Sequence, residues 1–152
     1  MKKIIFIITV MFCLISINTK AQQGYKGVYS AGGYTWQHGG DVYLGLDFPK
    51  NSFHGFEVFA HGFFHKEETN ILGGLAYKHC LVRGINSSFR FKVAGIIGTT
   101  THKAIYGGTM GFEYLVGLSP RVDLLLMPEG GYYFNSVQKW RFTTLAGLRF
   151  NF

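Results

Sequence analysis

The residues best placed to do chemistry together in this chain are Glu113, Asp123 and Arg149. If the chain folds back about Leu118-Ser119 and again about Ser136-Val137, Glu113 falls close to Asp123, with Arg149 on its other side. Such a Glu–Asp–Arg row could line a conduit or hold a substrate. The favoured reading is a plug of ion pairs filling a narrow interior, because each buried charge needs a partner and eight strands leave an interior that side chains just fill. The other candidates are weaker. His61-x-x-x-His65 has the spacing of a metal pair on a helix, but on a strand four residues span about 13 Å, too far for one ion. Ser30, in Val28-Tyr29-Ser30-Ala31-Gly32, lacks the first glycine of a nucleophile elbow. Gly107-Gly108-Thr109-Met110-Gly111 is not followed by a helical pattern and so carries no phosphate-cradle meaning. No catalytic, cofactor-binding or metal-ligating residue is assigned, and the histidines are read as interfacial or solvated. The expectation is a protein that is not an enzyme and needs no cofactor.

The elements that must position the charged row follow a period of two. In residues 141–152, Phe142, Thr144, Ala146, Leu148, Phe150 and Phe152 share one face, while Arg141, Thr143, Leu145, Gly147, Arg149 and Asn151 share the other. An apolar face opposite a face with two arginines suits lipid outside and a polar lumen inside. The same alternation recurs in 42–48, 89–97, 106–116 and 121–129, and 53–64 and 69–78 are strand-like, with Glu57 and Lys78 as inward charges. Segment 27–36 alternates poorly because of Ser30, Ala31, Gly32 and Gly33 but completes a set of eight strands. An even number of strands near ten residues long is the pattern of a transmembrane barrel. Phe48-Pro49-Lys50-Asn51-Ser52 and Gly117-Leu118-Ser119-Pro120 read as tight turns; with both termini periplasmic these turns are periplasmic too, and the outside loops fall at 37–40, 65–69, 99–104 and 133–140. Trp36, Phe64, Tyr77, Tyr132 and Trp140 sit near strand ends, as interfacial girdles do.

Composition agrees. The chain of 152 residues has 21 glycines and three prolines, and no long apolar helix pattern follows residue 21. A soluble barrel of the lipocalin kind would also alternate, but with polar residues outward and often a disulfide. The first 21 residues have a separate meaning. Lys2 and Lys3 precede an apolar stretch from Ile4 to about Ile17, and Thr19-Lys20-Ala21 offers small residues at a cut site. This is the layout of a secretory signal peptide cleaved after Ala21; the stretch is short for a retained anchor. Cys13 lacks the preceding small residues of a lipoprotein cysteine. Cleavage leaves residues 22–152 as the barrel domain, with Cys80 as its one cysteine. The net charge falls from +7 to +4 with the loss of Lys2, Lys3 and Lys20, too modest and scattered for nucleic-acid binding.

Ser119-Pro120-Arg121-Val122-Asp123-Leu124-Leu125-Leu126, the closing Gly147-Leu148-Arg149-Phe150-Asn151-Phe152, and the early Ala21-Gln22 and Lys26-Gly27 resemble the TraO family of conjugative-transposon (conjugal transfer) proteins. The chain departs from that family at Tyr132-Tyr133-Phe134, where members carry Trp-Gly, and is shorter in the middle. The resemblance implies an outer-membrane component of a conjugative DNA-transfer apparatus, beside other conjugation proteins. It carries over no enzymatic residues. The last strand, ending at Phe152, also resembles the signal by which the barrel-assembly machinery recognises its substrates. The expected fold is all-β, an eight-stranded antiparallel outer-membrane β-barrel in contact with membrane lipid. The competing function is a generic small barrel serving membrane integrity or surface adhesion.

The targeting expectation has a direct test. N-terminal sequencing of exported protein should begin at Gln22; a mature chain retaining Ile4–Ile17 would contradict it.

Overall fold

A computed structural model describes residues 26–36, 39–51, 53–66, 68–100 and 103–152. The expected signal segment, residues 1–21, and parts of the expected loops 37–40, 65–69 and 99–104 lie outside these residues.

Eight strands follow one another as β1 (Gly27–Thr35), β2 (Gly39–Pro49), β3 (His54–Phe64), β4 (Thr69–Arg83), β5 (Ser87–Thr100), β6 (Ala104–Ser119), β7 (Val122–Phe134) and β8 (Trp140–Asn151). Each pairs antiparallel with the next, and β1 pairs with β8 from Gly27↔Asn151 to Thr35↔Thr143, which closes the barrel. Closure gives the sheet no free edge, the condition for a strand assembly to live in hydrocarbon.

The faces follow the period-two pattern. Along β8, Arg141, Thr143, Leu145, Arg149 and Asn151 are buried, while Phe142, Thr144, Ala146, Leu148 and Phe150 are exposed. Outside the overhanging end of β4, no outward strand position among the described residues carries a charged side chain. Instead the outer surface presents Leu44, Leu75, Ile97 and Met110, each more than half exposed. Such a continuous apolar exterior is untenable in water and natural in lipid, which excludes the soluble-barrel alternative. Tyr106, Phe134, Tyr132 and Trp140 form a run of ring contacts at the loop end, with centroids 4.8–5.0 Å apart. Phe89, Phe91 and Phe112 do the same toward the turn end. These are the two interfacial girdles.

Glycine makes room inside this narrow tube. A Cβ on Gly45 would come within 2.3 Å of the Tyr29 ring, and one on Gly27 within 2.6 Å of the Arg149 guanidinium. The inward glycines are therefore the floor on which large lumen side chains lie.

Two sequence expectations need correction. The turn between β6 and β7 is not Gly117-Leu118-Ser119-Pro120, because β6 continues to Ser119 and the chain reverses at Pro120-Arg121. Proline's fixed φ and missing N–H suit a turn position, and Ser119 Oγ accepts from the backbone N–H groups of Arg121 and Val122 at 3.3 and 3.1 Å. A bulge between Gly117 and Ser119 shifts the register further, so Asp123 faces Gly117 rather than Glu113. The fourth strand also runs past residue 78, overhanging with β5 and bulged between Cys80 and Val82. Within β7, the pairing lapses between Gly111↔Glu129 and Tyr114↔Leu126, beside Pro128, which has no N–H to give.

The outward face has a sharp test. Leu44→Arg, in the middle of β2, should cost about 2–4 kcal/mol of folded-barrel stability, the depth-dependent cost of arginine on a lipid face. Ile85→Arg, in the exposed β4–β5 turn, should cost little. Folded yield by heat-modifiable gel mobility distinguishes them; equal losses would contradict the assignment of faces.

Candidate functional site

Inward positions collect the chain's charge. Seven carboxylates are buried inside the barrel or at its mouth: Asp41, Asp47, Glu57, Glu68, Glu113, Asp123 and Glu129. Five cations accompany them: Lys78, Arg90, Lys92, Arg141 and Arg149. Alternation alone aims all of these side chains inward except Glu68, which lies in a connection; barrel closure then brings together residues from strands that never pair.

At the turn end, Arg149 of β8 reaches Asp123 of β7 at 3.1 Å and Asp47 of β2 at 3.0 Å. Asn151 Nδ2 also donates to Asp123, at 2.9 Å. Asp47 accepts from Arg90 of β5 at 2.9 Å, and Arg90 contacts Glu113 of β6 at 3.2 Å. Lys78 of β4 sits at the hub, in ion pairs with Glu113, with Glu57 at 2.8 Å and with Asp47 at 3.8 Å. Midway, Lys92 lies 3.3 Å from Glu129 and donates to the Tyr43 hydroxyl at 2.6 Å, and that hydroxyl donates to Glu57 at 2.5 Å. The Lys92 ammonium also stands over the rings of Tyr43 and Phe59, 4.4 and 4.7 Å from their centroids. Tyr29 and Tyr43 stack beside it.

The loop end has its own cluster. Asp41 contacts His61 Nε2 at 2.7 Å and accepts from the Thr35 hydroxyl. Glu68, in the connection between β3 and β4, accepts from Ser136 Oγ at 2.7 Å, from the Val137 N–H at 3.3 Å and from Arg141 at 3.2 Å. That carboxylate ties two connections together across the mouth. The Arg141 guanidinium is sandwiched by Phe63 and Tyr133, 3.9 and 4.4 Å from their centroids.

Of the row expected from sequence, the fold brings together Asp123 and Arg149. It does not bring Glu113 to Asp123, because the β6–β7 turn lies two residues later than Leu118-Ser119. Glu113 turns to Lys78 and Arg90 instead, and joins Arg149 only indirectly, through those two cations and Asp47. The expected repulsion between Glu113 and Asp123 therefore does not arise. Asp47, Arg90 and Lys92 could be seen as inward residues by their period, yet nothing in the sequence shows which meet across the lumen. Reading the histidines as interfacial or solvated fails for His61, which is 3% exposed and held by Asp41. His65 stacks on Phe63 at the loop end, so the two histidines do not converge. Ser30 faces outward on β1, and Gly107–Gly111 is extended strand in β6.

What this arrangement does chemically is neutralise and fill. Every lumen cation has a carboxylate at hand, and the mid-lumen rings occupy the space between charge layers. An eight-stranded interior is about wide enough for side chains alone.

No protein-family model and no curated protein matches the chain. Among solved structures, the chain is similar to the N-terminal β-barrel domain of Pseudomonas aeruginosa OprF (TM-score 0.68, 11% identity, 86% of this chain and 98% of that one). It is also similar to a de novo designed transmembrane β-barrel (TM-score 0.61, 15% identity, 88% and 100%) and to the outer-membrane enzyme PagL (TM-score 0.55, 8% identity, 83% and 99%). At these identities the likeness is one of fold. With the apolar belt, it makes this chain an outer-membrane β-barrel.

The hub predicts its own perturbation. Lys78→Met leaves Glu57, Asp47 and Glu113 without their shared cation and should destabilise the barrel by about 3–5 kcal/mol, the usual effect of breaking a buried pair. Adding Glu113→Gln should recover part of the loss, since one of the stranded charges goes. Unfolding temperature by gel mobility measures both; an additive double variant would mean the two side chains do not interact.

Proposed function

We propose that this protein is a non-conducting, non-enzymatic outer-membrane barrel that serves a conjugative DNA-transfer apparatus as a structural component. The observation that carries the structural half is the lumen. From Asp123 and Arg149 at one end to Glu68 and Arg141 at the other, ion pairs and rings cross it layer by layer. Charges committed to each other in this way brace the wall. Substrate handling would ask for groups held ready for an incoming molecule.

The conjugative half is supported by the resemblance of Ser119–Leu126 and of the closing Gly147–Phe152 to the TraO family. Its expected neighbours are lipid, the barrel-assembly machinery engaging the strand that ends at Phe152, and other transfer proteins. A role in membrane integrity or surface adhesion is the second reading. Adhesion is disfavoured by the connections at the loop end, the longest of which spans only Asn135–Lys139.

Two measurements test the proposal. In a planar bilayer the purified protein should give no stable open channel, because its lumen is filled; a reproducible conductance would overturn the plug. In a donor cell carrying the transfer genes, deleting this gene should lower transfer frequency, and the wild-type gene should restore it. Unchanged transfer together with new detergent sensitivity would replace the conjugative role with one in membrane integrity.

A further inference from the structure

Away from the lumen, three side chains converge on the outer rim at the turn end. His54 opens β3 and is directly opposite His79 of β4, while Tyr77, two residues before His79, shares the same outward face. The Nδ1 atoms of His54 and His79 are 3.2 Å apart, and the Tyr77 hydroxyl contacts the same His54 Nδ1. All three groups are partly exposed at the level of the girdle, within reach of water and solutes.

Hydrogen bonding alone does not account for this convergence. An imidazole nitrogen has either one in-plane lone pair or one N–H. His54 Nδ1 can therefore make one good hydrogen bond, to Tyr77 or to His79, and the third heteroatom is left crowded against them. A metal ion can accept a lone pair from each atom, with the Tyr77 hydroxyl moving off His54 Nδ1 to the roughly 2.8 Å or more that separates two atoms bound to one ion. Two nitrogens each bound at about 2.0–2.1 Å to one ion lie about 2.9 Å apart as a square-planar cis pair and about 3.3–3.4 Å apart as a tetrahedral pair. The observed 3.2 Å lies between the two bites.

We propose that His54, His79 and Tyr77 form a binding site for a divalent late first-row transition-metal ion, with Cu(II) held most tightly and Zn(II) next in interest. Two imidazoles and a phenol oxygen are ligands of the right softness for these ions, and Cu(II) heads the affinity order for nitrogen and oxygen sites. Binding releases the proton on whichever Nδ1 carries it and, where the phenol ligates as phenolate, the Tyr77 proton as well. Solvent completes the coordination. The cross-strand register builds the pair: His54↔His79 places the imidazoles opposite each other, and Tyr77 is reached on the diagonal. The His61 and His65 spacing that draws the eye in the sequence has no part in it.

The test uses the full chain, without a histidine tag, folded in detergent micelles and titrated with CuCl2. One equivalent should bind, with a nitrogen-coordinated Cu(II) signal in electron paramagnetic resonance. His54→Ala and His79→Ala should each lose it. Tyr77→Phe should keep the bound copper but lose the phenolate-to-copper absorption band in the visible. His61→Ala and His65→Ala should bind as the wild type does. Because His54 and His79 lie at the rim, their variants should fold, which gel mobility checks in the same samples. Equal copper binding by the wild type and the two rim variants would overturn the site. So would copper signals that disappear only with His61 or His65.

Discussion

Everything in this barrel depends on where its charges can go. A closed sheet in lipid offers no outer surface on which a carboxylate or ammonium can be hydrated. Of the chain's eight acidic residues, seven are buried in the lumen or at its mouth. Such burial is tolerable only when each charge meets an opposite one, since an isolated ion in a dry interior costs several kcal/mol even after relaxation. The lumen answers with shared partners. Lys78 is contacted by three carboxylates, and Arg149 and Arg90 both hold Asp47. Apart from Lys78–Glu57, which joins the neighbours β4 and β3, these links join strands that are not hydrogen-bonded neighbours, so they also fix the cross-section of the tube.

The glycines and tyrosines follow from the same constraint. Long cations must lie across the lumen to reach their partners, so the neighbouring strand beside them must be flat. Gly27 gives the Arg149 guanidinium its space, and Gly45 does the same for the Tyr29 ring. The rings then stand beside the ammonium groups, 4.8 Å for Lys78 over Tyr29 and 4.4 Å for Lys92 over Tyr43, where their faces supplement the ion pairs. At the mouth, Glu68 and the sandwiched Arg141 extend the arrangement into the connections. A lumen organised like this is a brace.

Much of this was legible in the sequence, and the limit has a physical cause. Alternation reports which face a residue occupies, so the eight strands, the apolar belt and the inward aim of Glu57, Lys78, Asp123 and Arg149 could all be read. Hairpin register is legible where a turn is simple: Asp123↔Arg149 follows from a reversal about Ser136. It fails at Pro120, where a Ser119-capped turn and a bulge at Gly117 displace Glu113 from Asp123. Contacts across the barrel were beyond reach, because Asp47 and Arg149 are distant in sequence and meet only through closure. The same holds for His54 and His79, which are 25 residues apart and opposite each other only through the β3–β4 register.

The central claim is that the buried lysines are locked into the lumen and shielded from water. The most direct measurement is nitrogen-15 NMR of lysine ammonium groups in the micelle-embedded protein. Solvated ammonium protons exchange with water too fast to be seen at neutral pH, whereas Lys78 and Lys92 should each give a persistent ammonium signal. Lys78→Met and Lys92→Met should remove those signals one at a time. If no ammonium signal survives at neutral pH, the lumen is wet and mobile, and the account of a braced, closed barrel is wrong.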